Sequence, residues 1–420
     1  MSIKQKFILG ILAMLLSGAL ILTACTSGGG LSCASAISRG WAGGTVYNGT
    51  IFIASKNGKV IALDSSNNTT VGKPIQLSVT SSGGLLGCSP SSSPLVMYAS
   101  PVVLNTPDPG TVVYIGGVDG KIHGFLFKDG VLVEKNPTFL SDQLKGQVFG
   151  GIIIDNNTIY FATSDGTVYA LNPKDLSVIW SHKIKSKIWS APVVAGNTLY
   201  IGCFNKTVYA LNIADGTEQW KVKTDGAISS TPIVFDNKVF IGDYARHFYA
   251  LDATTGNLVW KFPSDDTGAN VPKNFFWAKP VEINGIIYAP CLDGNVYALD
   301  AANGNLVHKY ELGDSISSSP VAFGSNGNYL AVATSVASTD SKKQRGAVYI
   351  INTTDTTKKD IVISASAIPS FSIPGEDINA PLFAQINGNV VYVHTTGDNL
   401  YSIDTAAKES QQKINLSTVK

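Results

Sequence analysis

The chain has 420 residues, with 31 Lys and Arg against 30 Asp and Glu. This near-neutral balance excludes a strongly acidic or basic chain and gives no electrostatic reason to expect nucleic acid as a partner. With 44% hydrophobic residues the chain can bury a large core, and a length of this size calls for a search for internal repeats before any division into domains.

At the N-terminus, Lys4 and Lys6 precede an uncharged apolar run from Phe7 to Leu22. A charged segment followed by an apolar one is the pattern of a secretory signal, and the run falls short of the roughly 20 residues that span a bilayer. Leu22-Thr23-Ala24-Cys25 follows directly and resembles a bacterial lipobox. The resemblance implies cleavage before Cys25 and acylation of that cysteine, so residues 1–24 are expected to be a lipoprotein signal peptide. Several acyl chains anchor a protein stably where one does so only marginally. Residues 25–40, with Thr26-Ser27-Gly28-Gly29-Gly30 at their start, read as a flexible tether. The expected location is exported and lipid-anchored, at the outer membrane or the outer face of the cytoplasmic membrane.

From residue 41 a segment recurs eight times. Its clearest copies centre on Tyr169, Tyr209, Tyr249 and Tyr297, as in Thr207-Val-Tyr209-Ala-Leu-Asn212, and weaker copies centre on Ile61, His123, Tyr349 and Tyr401. Most repeats open with a small residue and proline, as at Ser100-Pro101, Ala191-Pro192, Thr231-Pro232 and Ser319-Pro320, and Gly43-Gly44 and Gly150-Gly151 take their place in two copies. Proline suits the first residue of a strand, where no ladder donor is needed. A short turn leads to a second apolar strand, Asp165-Gly166 or Asp293-Gly294 reads as a hairpin turn into the repeated third strand, and a fourth strand is expected to end in Trp180, Trp220 or Trp260. The third-to-fourth turn follows one pattern, Asn212-x-x-x-Gly216-x-x-x-Trp220. There Asn or Asp can bond turn amides, Gly supplies a positive φ, and Trp offers a large apolar face to the next unit. Four strands in each of eight units, spaced mostly 40–52 residues apart, predict an all-β fold: an eight-bladed β-propeller of four-stranded antiparallel blades over residues 41–420.

The motif is similar to the repeat of the pyrroloquinoline-quinone-like propellers, an eight-bladed family, and covers roughly Trp41 to Ser417. Departures are His308 at the Trp position of blade six, Leu176 at the turn Gly of blade three, and blades one, two, seven and eight without the Trp. The family holds both quinone-dependent dehydrogenases and non-catalytic binding lipoproteins, so fold alone does not decide function. Kinship with the enzymes implies a vicinal cysteine pair and carboxylate and amide ligands for calcium, and this sequence has no adjacent cysteines. The five histidines, His123, His182, His247, His308 and His394, are dispersed. No His-Glu-x-x-His spacing, serine elbow or phosphate loop occurs. No catalytic residue, cofactor or metal is therefore expected, and the chain reads as a non-enzyme.

Cys33 and Cys88 both flank the first repeat and are a possible disulfide in an exported protein, whereas Cys203 and Cys291 belong to non-adjacent repeats. Long insertions at Thr80–Ala99, Asn136–Gln147, Pro263–Phe276, Ser335–Arg345 and Ser366–Ile378 are expected on one face of the ring, as second-to-third turns or inter-blade connections. Insertions confined to one face commonly mark the binding side of a repeat protein. Asp265, Asp266, Lys273, Phe275 and Phe276 on one loop, with Lys342, Lys343 and Arg345 on another, are the candidate partner-binding residues. In function the chain resembles the BamB-type lipoproteins, which implies a non-catalytic scaffold that docks a protein partner in the cell envelope and serves outer-membrane protein assembly. A closed ring leaves no internal blade edge unpaired, so a monomer is expected. A quinone-dependent dehydrogenase and an extracellular glycan- or peptide-binding module are the alternatives.

Overall fold

A computed structural model of the protein describes residues 42–81, 91–107, 110–134, 144, 146–268, 270–324, 327–335, 346–354, 371–373, 376–385, 388–405 and 409–419. Cys25, Cys33, Cys88, Lys342, Lys343 and Arg345 lie outside the described residues. Among the described residues no helix is long and apolar enough to cross a membrane.

Residues from Trp41 onward form one compact unit. Within it, eight four-stranded antiparallel sheets follow one another along the chain, each built from consecutive strands. Blade five is representative, with strands Ile233–Phe235, Lys238–Gly242, Phe248–Asp252 and Leu258–Phe262. The first strands of neighbouring blades contact one another in seven of the eight pairs described, which places them innermost. The second and third strands carry the core. In blade four, Leu199, Tyr200, Ile201, Val208, Ala210 and Leu211 are all buried. Neighbouring blades cover both sides of such a strand pair, so these strands read as continuous apolar runs rather than alternating ones. The fourth strands face outward and do alternate, as in Glu218–Lys223.

The prolines fall where a strand begins. Pro101, Pro192, Pro232, Pro280 and Pro320 each immediately precede the first strand of their blade. The third-to-fourth turns are also as the sequence pattern requires. Asp252 Oδ1 accepts from the amides of Thr254 and Thr255 at 3.1 and 2.8 Å, Asn212 Oδ1 accepts from Ala214 N at 2.9 Å, and Gly216, Gly256 and Gly304 have φ of 73°, 75° and 76°.

Those glycines serve the adjacent blade as well. The Trp180 indole lies on Gly216 of the next blade and its Nε1–H donates to Ile213 O at 2.7 Å; Trp220 lies on Gly256 and donates to Ala253 O at 3.0 Å; Trp260 lies on Gly304 and donates to Ala301 O at 3.2 Å. A methyl group added at any of the three would stand 2.5–2.7 Å from an indole carbon, so only glycine admits this contact. The tryptophans do not end their strands as expected. Each is paired opposite the alanine of the repeated strand, within Val178–Lys183, Glu218–Lys223 and Leu258–Phe262, and the strand continues past it. A bulge just before each Trp re-aims it toward the neighbour.

Where the pattern departs, the packing changes with it. Leu176 holds the left-handed conformation, φ 59°, and buries its own side chain in a cluster with Val112 and Tyr114 of blade two. In blade six, His308 pairs opposite Ala298, and its ring centroid is 4.3 Å from that of Tyr310.

Among the described residues the ring closes by packing blade eight against blade one, without exchange of strands. Ile51, Ile53, Ile61 and Leu63 of blade one share a buried cluster with Phe383, Tyr392 and Leu400 of blade eight. Polar bonds cross the same seam. Asp398 Oδ1 accepts from Lys56 N at 2.8 Å, His394 Nδ1 lies 2.8 Å from Ala42 O and its Nε2 3.1 Å from Asp398, and Asn68 donates to Ser402 Oγ at 2.7 Å.

Blade seven corrects one boundary. Its fourth strand is Phe371–Ile373, inside the stretch Ser366–Ile378 that the sequence reading assigned to an inter-blade connection. The long segment of that blade therefore runs between its third strand, Gly346–Asn352, and this fourth strand. The connection to blade eight is short.

Candidate partner-binding face

The second-to-third turns and the inter-blade connections share one face because hydrogen bonds tie them together. The turn amides of Val118, Ser164, Phe204, Tyr244, Leu292 and Thr396 donate to connector carbonyls of Val96, Gln147, Lys187, Ala227, Phe275 and Asp377 at 2.8–3.1 Å. Each connector is thus pinned to the blade it enters. The long segment after Leu77 uses the same face: its hairpin pairs Ser78–Ser81 with Ser91–Pro94, and Leu77 and Leu95 dock beside the Gly58 turn.

Two residues beyond each pinned carbonyl, just before the first strand, the chain places one side chain at the axial end of this face. In blades two, three, four and six that side chain is aromatic: Tyr98, Phe149, Trp189 and Trp277. In blades five, seven and eight it is Ser229, Ser317 and Asn379. The aromatic residues touch in series. Centroid distances are 5.4 Å from Tyr98 to Phe149, 5.7 Å from Phe149 to Trp189 and 6.4 Å from Trp189 to Trp277. Trp189 and Trp277 belong to blades separated by a third, and such a contact is geometrically open only near the axis. Two turn residues join the band. Phe204 is 4.8 Å from Trp189, and Tyr244 is stacked 4.4 Å from Phe275 and 6.1 Å from Trp277. All seven of these aromatic side chains are half-buried. Burial pushes the Tyr244 hydroxyl above its ordinary pKa.

The carboxylates around this mouth are held by the protein itself. Asp243 is fully buried and accepts from Gly226 N, Ala245 N, His247 N and the Tyr249 hydroxyl at 2.7–2.9 Å. Asp293 accepts from the Tyr297 hydroxyl at 2.8 Å and from Lys273 N at 2.9 Å. The repeated tyrosines are accordingly core members whose hydroxyls tie down these turns. In blade two, His123 fills the tyrosine position and lies 3.0 Å from Asp119, a structural substitution of the same kind. Asp225 lies 3.0 Å from His247 Nδ1 and 3.2 Å from Lys261 Nζ; burial raises its pKa, but Lys261 and the neighbouring groups outweigh that and the net shift is downward.

The described candidate residues separate into different environments. Phe276 is 1% exposed, packed among Phe240, Phe248 and Trp260, and offers nothing to a partner. Its neighbour Phe275 points the other way, into the aromatic band. Asp266 lies 3.2 Å from His247 Nε2, so it fastens the connector to blade five. Asp265 accepts from Thr267 N at 2.9 Å within its own turn, and Lys273 is exposed. The aromatic residues four positions before the first strands are not marked by the repeat pattern read above. An alignment of the eight repeats on their prolines would have brought Tyr98, Trp189 and Trp277 into one column.

Neither described cysteine has the vicinal cysteine partner that kinship with the quinone enzymes implies. Cys203 and Cys291 are buried singly in separate clusters, and burial raises both thiols. Cys291 Sγ lies 3.1 Å from Asn274 O. Among the described residues no group of three or more His, Cys, Asp or Glu side chains could hold a metal ion.

Comparison with known proteins bears on the family. The family model described as outer membrane protein assembly factor BamB matches residues 164–413, more than half of the chain. The crystal structure of BamB from Moraxella catarrhalis is similar with a TM-score of 0.51 and 16% identity, covering 76% of this chain and 91% of that one. The computationally designed Ika8 protein gives a TM-score of 0.58 at 12% identity, covering 84% and 93%. At such identities these likenesses show the fold alone. No curated protein sequence matches. The extent of the family-model match, together with eight blades carrying its repeat, establishes that this chain belongs to the family of outer membrane protein assembly factor BamB.

Proposed function

We propose that the protein is a non-catalytic scaffold of the cell envelope, tethered through an acylated Cys25, that docks a protein partner on its connector face. The observation that carries this reading is the half-buried aromatic band there, from Tyr98 to Trp277. Aromatic side chains are enriched where protein interfaces form, because they bury much area at little conformational cost. Family membership adds outer-membrane protein assembly as the process served.

Affinity capture tests the docking. The tagged full-length chain is isolated from envelope membranes beside the double variant Trp189→Ala, Trp277→Ala, which removes the centre of the band. The same co-purifying protein should be lost from the variant, and undiminished capture would remove this face from consideration. Cys25→Ser should release the chain from membranes and abolish incorporation of labelled palmitate. Persistence on the membrane would sink the tether. Saturable binding of pyrroloquinoline quinone in the presence of calcium, with dye reduction, would replace the scaffold reading by the enzymatic one.

A further inference from the structure

The axial mouth on the connector face is asymmetric in chemistry. Blades two to four and blade six contribute aromatic side chains at the strand-entry position, while blades seven and eight contribute Ser317 and Asn379, which bond each other at 3.0 Å. Along the entry segment of blade six, Lys279 follows Trp277 by two residues. Its equivalents in the other blades are small or uncharged: Ser100, Gly151, Ala191, Thr231 and Ser319. These residues form the innermost ring, linked from blade to blade. Ala191 N donates to Thr231 Oγ1 at 3.1 Å and Lys279 N to Ser319 Oγ at 3.2 Å. Lys279 therefore places the one cation of this ring beside the axis. Its side chain reaches solvent although protein surrounds it on most sides, and burial lowers the ammonium below the ordinary lysine pKa. Its exposure, two residues after Trp277 on the same entry segment, puts an ammonium at the rim of the aromatic mouth.

Charge around the mouth is unequally satisfied. Asp225, Asp243, Asp266 and Asp293 are engaged by the protein's own donors and cations. Among the described residues no carboxylate pairs with Lys279, or with Lys185 and Lys187, which are exposed on the connector leading to Trp189. Aromatic surface and unpaired cations stand together, and these four carboxylates are already engaged.

We propose that this aromatic mouth binds an acidic peptide segment, its apolar side chains lodging among Phe149, Trp189 and Trp277 and its carboxylates meeting Lys279 and the connector lysines. The inference rests on the scaffold reading and deepens it by naming the partner's chemistry. A peptide is favoured over a sugar chain by ring geometry. Trp189 is turned 59°, 69° and 70° from Phe149, Phe204 and Trp277, so the rings around it make tilted crevices suited to side chains and not one flat platform for a pyranose. Ammonium groups beside apolar surface are where carboxylates gain most, because desolvation strengthens the charged hydrogen bond.

Fluorescence polarisation of a labelled 12-residue peptide alternating Glu with Val and Phe tests this on the intact chain. Binding should saturate, and the same peptide with Gln for Glu should bind at least about tenfold more weakly, a difference of about 1.4 kcal/mol. Lys279→Gln should weaken the Glu peptide several-fold and leave the Gln peptide unaffected, while Lys279→Arg should restore most of the affinity. The paired change Trp189→Ala, Trp277→Ala should weaken both peptides, with unchanged far-ultraviolet circular dichroism certifying the fold. Equal affinity for the Glu and Gln peptides, no saturable binding, or tighter binding of an acidic oligogalacturonide would each overturn the proposal. If Lys279→Gln loses the peptide effect but still captures the envelope partner in full, the scaffold reading stands and the assignment of that partner to the aromatic mouth is wrong.

Discussion

The tryptophan–glycine contact between blades makes a quantitative prediction. Trp260 is 8% exposed, spans the boundary between blades five and six, and donates to Ala301 O at 3.2 Å. Trp260→Ala removes that area, opens a cavity and leaves a buried carbonyl short of a donor, which together should cost about 3–5 kcal/mol. Gly304→Ala attacks the same contact from the opposite side. Its φ of 76° is strained for alanine by roughly 1–2 kcal/mol. The new methyl would also stand 2.6 Å from Cδ2 of Trp260, so the indole must move. In the double variant the clash disappears and only the backbone strain remains. The two changes should then be less than additive by about 1–2 kcal/mol, the range seen for residues in direct contact. Urea unfolding followed by near-ultraviolet circular dichroism measures this, provided the slope is unchanged among the four chains. Additivity within about 0.5 kcal/mol would refute the view that indole and glycine form a single contact.

Two further outcomes follow from the same structure. Asp398→Ala at the ring seam removes the acceptor of Lys56 N and the partner of buried His394, and should lower stability by about 3 kcal/mol, read as a fall in the urea midpoint; a midpoint within error of the wild type would show that the seam rests on apolar packing alone. At Asp165, burial raises the carboxyl pKa, but Lys183 at 2.5 Å and the hydroxyls of Thr163 and Thr167 outweigh it, and the net shift is downward. A carboxyl whose folded pKa is depressed adds stability above its unfolded value, near 3.9, and loses that contribution as pH falls through the folded value. Asp165→Asn should therefore shrink the loss of stability between pH 5 and pH 3, and an unchanged acid limb in thermal scans would contradict the assignment.

Much of this architecture was legible in the residues because its devices are local and repeated. The prolines mark strand starts, Asn212 and Asp252 mark turns, and the Gly216-to-Trp220 spacing repeats a contact whose two halves belong to neighbouring blades. What escaped notice was information that exists only across the ring. Trp189 and Trp277 are 88 positions apart in the chain and meet because blade five brings them to one mouth. The adjacent pair Phe275 and Phe276 looked equivalent in sequence. In extended backbone neighbours point to opposite sides, so one joins the aromatic band and the other the core. Blade seven misled for a different reason: its fourth strand, Phe371–Ile373, is only three residues long and carries no tryptophan to announce it.

The absence of strand exchange at the seam has an energetic corollary. Hydrogen bonds between the other neighbouring blades join segments a few tens of residues apart, as from Ala191 to Thr231 and from Ser317 to Asn379, whereas the bonds between Ala42, Lys56 or Asn68 and blade eight bridge more than 330 positions. Closing a loop that is eight times longer, three doublings, costs only about 2 kcal/mol more in chain entropy. That modest sum falls on a single junction, and the polar bonds of Asp398, His394 and Asn68 are placed there to meet it.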